Sequence, residues 1–73
     1  MAVEPRRGWL ALGSEQGLLI ARPESDAAPL QFPLEGIQDL RFGTFGDLYI
    51  ATRRGFWHLP AMHDGFAAQP VEA

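Results

Sequence analysis

Apolar residues recur at every second position through most of this chain, and Gly or Pro breaks each run before it grows long. A spacing of two marks a β-strand, whereas a helix face needs apolar residues three and four apart. Trp9-Leu10-Ala11-Leu12 is one such run and Leu18-Leu19-Ile20-Ala21 the next. Between them stands Ser14-Glu15-Gln16-Gly17, a polar tetrapeptide closed by Gly, which predicts a tight turn and so a β-hairpin. Asp47-Leu48-Tyr49-Ile50-Ala51, the turn Thr52-Arg53-Arg54-Gly55 and the run Phe56-Trp57-His58-Leu59 predict a second hairpin, ended by Pro60. Leu30-Gln31-Phe32-Pro33-Leu34 and Ile37–Phe42 predict two more strands, with Pro33 placing the first at a sheet edge. Arg22–Pro29 reads as a polar loop, and the tail from Ala61 to Ala73 predicts one strand near Phe66–Val71. No window predicts a helix. The fold class is all-β.

The two hairpins are copies of one pattern. GWLALGSEQGLLIA (8–21) lies on GDLYIATRRGFWHL (46–59) without a gap at an offset of 38 residues. Glycines fall on turn positions and apolar residues keep their parity, which is the signature of an internal repeat. The chain reads as a single domain, 1–73, with repeat 1 over about 1–36 and repeat 2 over about 37–73. Superposition predicts that Leu10, Leu12, Leu18 and Ile20 occupy the sites of Leu48, Ile50, Phe56 and His58. It also predicts positive φ at both Gly17 and Gly55. The return strands are apolar on both faces: Leu18 and Ile20 share one, Leu19 and Ala21 the other. Such strands are expected between two other layers.

Composition sharpens this picture. A chain of 73 residues buries little surface and needs a staple or a partner. It has no Cys for a disulfide or a thiolate metal site, and only two His. Oligomerisation is the remaining source of buried area. The net charge of −3 disfavours nucleic acid and anionic membrane as partners. All six basic residues are Arg, and the pairs Arg6-Arg7 and Arg53-Arg54 read as solvated turn residues. No segment has signal-peptide or membrane-spanning character, and the cytoplasm is the expected compartment. Met1 favours a natural start over an excised fragment.

The stretch IQDLRFGTFGDLYIATRRGFWHL resembles the blade repeat of β-propellers, of the type found in sensor domains of two-component regulators. Ile37, Leu40, Gly46, Leu48, Tyr49, Ile50, Ala51, Thr52 and Gly55 match that repeat. In the first copy Gly8, Leu10, Leu12, Gly13, Ser14 and Gly17 match, with Ala11 in place of the aromatic. The Asp that usually precedes the strand-opening Gly is replaced by Gly43-Thr44-Phe45. The resemblance implies blade-like repeats that are part of, or assemble into, a propeller. A 38-residue period allows just under two blades, fewer than the four to eight that close a ring. A small SH3-like β-barrel is the alternative fold.

No constellation carries catalysis, so no enzyme activity and no cofactor are expected. His58 and His63, with Asp64, lack the arrangement of a metal site, and no nucleophile elbow surrounds Ser14 or Ser25. The glycines lack the strand-loop-helix setting and the Lys of a phosphate loop. Trp9, Tyr49, Phe56 and Trp57 are the candidates for a protein interface, since exposed aromatics on a small domain mark partner surfaces. The function expected is a non-catalytic protein-interaction or assembly module, self-associating or docking on a larger protein. The alternative is a fragment of a propeller sensor domain that binds a small ligand.

Overall fold

A computed structural model describes residues 1–23, 28–62 and 65–72, and the described residues form ten short strands. The strands are β1 (Ala2–Val3), β2 (Leu10–Gly13), β3 (Leu18–Ala21), β4 (Leu30–Phe32), β5 (Ile37–Phe42), β6 (Leu48–Thr52), β7 (Gly55–Leu59), β8 (Ala61–Met62), β9 (Gly65–Phe66) and β10 (Val71–Glu72). The described residues contain no helix, and so none long and apolar enough to cross a membrane. Two four-stranded antiparallel sheets form, in the orders β1-β2-β3-β4 and β10-β7-β6-β5, with β8-β9 as a small separate hairpin. Neither large sheet closes on itself or pairs with the other.

Both predicted hairpins form, and their registers are identical at the 38-residue offset. Leu10 pairs with Ala21 and Leu12 with Leu19; Leu48 pairs with Leu59 and Ile50 with Trp57. The turns share a device too. Ser14 Oγ accepts from the Gln16 N–H (3.1 Å) and donates to the Gly17 carbonyl (3.4 Å). Thr52 Oγ1 accepts from the Arg54 N–H and donates to the Gly55 carbonyl, both at 3.1 Å. A hydroxyl at the turn's first position thus takes up a turn N–H and adds a bond to the carbonyl of the turn's closing Gly.

Burial does not follow the repeat, which corrects the expectation of equivalent sites. Sheet 1 (β1-β2-β3-β4) buries Ala11, Leu18, Ile20 and Phe32; sheet 2 (β10-β7-β6-β5) buries Leu40, Leu48, Ile50 and Leu59. By the 38-residue offset Leu18 corresponds to Phe56, which is 67% exposed, and Ile50 to Leu12, which is 38% exposed. The two copies therefore bury opposite faces. The physical reason lies in how two like layers stack. When a second layer sits on the first in the same sense, the first buries its front and the second its back. The buried residues of both sheets join in one core, with Trp9, Ile37, Phe42, Trp57 and Phe66 packed against its margin.

The layers come close together at Gly13. A Cβ placed there would lie 2.5 Å from Cγ2 of Ile37 and 3.3 Å from Cδ1 of Leu40. The strand β5 runs alongside β1 and β2 at this point. Gly17 does not have positive φ, contrary to expectation. Its role is proximity, since a Cβ there would stand 2.9 Å from the Phe32 carbonyl oxygen. Gly55 does have positive φ, at 142°, outside the left-handed helical region expected for it.

Sequence reading failed most at the two ends. It missed β1, a two-residue edge strand. It placed a strand at Phe66–Val71, where the chain instead leaves β9 at Phe66, bends at Ala68-Gln69 and pairs again only as β10. Half of the predicted loop Arg22–Pro29, residues 24–27, together with His63 and Asp64, lies outside the described residues, and Ser25 with it.

Gly13→Ala is expected to destabilise the fold by about 1–3 kcal/mol through overpacking between the sheets. Urea unfolding checks this; the φ of Gly13 is unremarkable, so any loss reports the contact rather than backbone strain.

Candidate interaction surfaces

Each sheet leaves one face outward: that of sheet 1 is largely apolar, and that of sheet 2 mixes apolar groups with an ion pair and an imidazole. Antiparallel pairing puts cross-strand partners on the same face. Sheet 1 thus presents Val3, Leu10, Leu12, Leu19, Ala21 and Gln31. Val3 and Leu12 are exposed there, while Leu10, Leu19 and Ala21 are half-buried. Sheet 2 presents Arg41, Tyr49, His58 and Val71 in one row and Asp39, Ala51 and Phe56 in the next. Tyr49 is 50% exposed and Val71 56%. Arg41 and Asp39 pair with each other at 3.2 Å.

The four aromatic candidates divide between the two sides. Tyr49 and Phe56 stand on the outer face of sheet 2. Trp57 points to the inner side of that sheet, half-buried beside Ile50, and Trp9 packs against the core margin. Tyr49 stacks on His58 with ring centroids 4.8 Å apart and planes 10° apart. The His58 ring is fixed by Asp47, whose Oδ2 lies 2.8 Å from Nε2, while Oδ1 accepts the Ala61 N–H at 3.1 Å. The Ala61 N–H and the His58 ring, acting against partial burial, hold the Asp47 carboxyl below its ordinary range. This arrangement stiffens an aromatic platform on the open face. Its residues are one strand-face His and one strand-opening Asp.

A second cluster, at Glu4 and Arg7, carries no local signature along the chain. The residue Glu4 is 1% exposed. Its carboxylate accepts from the backbone N–H of Arg6 and Arg7 and from Arg7 Nε at 2.5 Å. Burial raises its pKa, but these hydrogen bonds and the Arg7 charge outweigh burial and hold it low. The Arg7 guanidinium lies over Trp9 (4.0 Å to the ring centroid) and Phe66 (4.9 Å), and Nη1 donates to the Gly65 carbonyl at 3.3 Å. Arg7 is therefore no solvated turn residue: it ties the N-terminal segment to the β8-β9 hairpin. Glu4-Pro5-Arg6-Arg7-Gly8 has the composition of an exposed turn, and only the long-range approach of Phe66 and Gly65 makes it a buried ion pair.

Among the described residues no three His, Asp or Glu side chains converge as metal ligands would. Comparison with models of known protein families, with characterised proteins and with solved structures gives no match.

Both Glu4 and Asp47 bind their protons less readily in the folded chain than in the unfolded one. Their stabilisation is complete above about pH 5 and is lost as pH falls through the unfolded-state range and below it. Urea midpoints are expected to drop steadily from pH 5 to pH 3. Glu4→Gln is expected to lower stability at pH 7 by roughly 1–3 kcal/mol and to flatten that acid dependence. An unchanged acid slope in the variant would contradict the role given to Glu4.

Proposed function

We propose that this chain is a non-catalytic protein-interaction module built from two β-propeller-like blades. The observation that carries this reading is the pair of uncovered outer faces, with Leu10, Leu12, Leu19 and Ala21 on one side and Tyr49, Ala51, Phe56 and Val71, beside Asp39, Arg41 and His58, on the other. The blade reading is supported by the sequential up-and-down order of strands in sheet 1, by the identical hairpin registers and by the burial of opposite faces in successive copies. The two sheets stay separate, which favours blades over a single SH3-like barrel.

Energetics point the same way. Burying one large apolar side chain is worth roughly 1.5–3 kcal/mol. Total stabilities of small domains are only about 5–15 kcal/mol. Two wet apolar sheet faces on 73 residues are a drive towards protein contact comparable with the fold's own stability. The net charge of −3 fits a protein partner rather than a polyanion, and the charges on the outer face of sheet 2, Asp39 and Arg41, pair with each other.

Sedimentation and native mass at micromolar concentration test this. A species heavier than the 8.1 kDa chain is expected. Tyr49→Ala and Phe56→Ala should each weaken that association at least tenfold while the β circular dichroism signal stays unchanged. A concentration-independent monomer with one sharp unfolding transition would leave a self-sufficient β domain instead.

A further inference from the structure

The packing inside the chain is a template for packing between chains. Sheet 1 buries the face that carries Ala11, Gly13, Leu18 and Ile20 against the face of sheet 2 that carries Leu48, Ile50, Trp57 and Leu59. Shift the first set by 38 residues and it becomes Tyr49, Ala51, Phe56 and His58, the open face of sheet 2. Shift the second set back and it becomes Leu10, Leu12, Leu19 and Ala21, the open face of sheet 1. The two uncovered faces are thus the two halves of an interface whose other instance is already formed within the chain.

We propose that the occupant of each open face is a second copy of this chain, bound head to tail. The open face of sheet 2 of one copy then seats on the open face of sheet 1 of the next. Such a contact is heterologous, and it closes a ring when the rotation between sheets divides a full turn. This rests on the reading of the chain as an interaction module and names its partner.

Shape and charge both support the pairing. At the internal contact the smallest residue, Gly13, faces Ile37 and Leu40 of the neighbouring layer. Its counterpart Ala51 is the smallest side chain on the open face and lies in a shallow hollow with Asp39, Arg41, Tyr49 and Phe56. Leu12, exposed on the open face of sheet 1, is the group available to fill it. The turns carry complementary charge. Within the chain Arg53 pairs with Glu15, the residue 38 positions earlier. Arg53 and Glu15 occupy equivalent places in the two turns, so a head-to-tail neighbour brings its Glu15 to the other side of Arg53. Opposite charges then alternate around the ring. Exposed pairs of this kind contribute little energy but fix which face meets which.

Complementary variants test the proposal. Leu12→Glu spoils one face and Phe56→Glu the other; both positions are exposed, and circular dichroism confirms that each variant folds. Native mass should show the wild-type chain as a closed ring of three or four copies and each variant alone as a monomer. Mixed in equal amounts, the variants should form a heterodimer and nothing larger, because one intact face remains on each. A second measurement uses the absence of Cys. Glu15→Cys and Arg53→Cys chains, mixed and treated with a short bismaleimide, should cross-link to each other at least tenfold more than either does to itself. A wild-type ring with no heterodimer from the mixed variants would overturn the head-to-tail contact and leave the interaction reading standing. Assembly that survives in one variant would mean pairing of like faces and would also overturn it. A monomeric wild type would overturn both.

Discussion

The fold depends on one contact: two layers of the same pattern, stacked in the same sense, with Gly13 pressed against Ile37 and Leu40. Each layer alone is a four-stranded sheet without a cover. Stacking gives the chain its one core, from Ala11, Leu18, Ile20 and Phe32 on one side and Leu40, Leu48, Ile50 and Leu59 on the other. It also dictates what is left over. Two layers have four faces, and a single stacking event covers two of them. The outward apolar faces are therefore a consequence of the same geometry that makes the core.

Much of this was legible in the residues, because turns and parity are local. Ser14 to Gly17 and Thr52 to Gly55 announce hairpins, and the strands around them form in the register that the 38-residue offset demands. Pro33 and Pro60 end strands as their missing N–H requires. What parity does not reveal is which face turns inward. Leu18-Leu19-Ile20-Ala21 is apolar on both sides, and Phe56-Trp57-His58-Leu59 is little different, so only stacking decides that Ile20 and Leu59 are buried while Phe56 is not. Trp57 shows the same point. Its side chain looks like interface in the sequence and lies on the inner side because it is in register with Ile50.

The ends were opaque for a different reason. Glu4 and Arg7 are polar and lie near Pro5 and Gly8, and nothing within ten residues hints at burial. Their partners, Phe66 and Gly65, come from the other end of the chain. The backbone N–H groups of Arg6 and Arg7 satisfy the buried Glu4 carboxylate, while Nη2 of Arg7 is buried without a hydrogen-bond partner. The cluster staples the N-terminal strand to the tail hairpin in a chain that has no disulfide to do so.

The stacking sense can be observed directly by nuclear Overhauser contacts in the isotope-labelled chain. The account predicts cross-peaks from the Gly13 α-protons to the Ile37 Cγ2 methyl and the Leu40 Cδ1 methyl. Cross-peaks to those methyls from Leu12 in place of Gly13 would contradict it, because sheet 1 would then bury the face that repeat equivalence assigns, and the two open faces would no longer be complementary.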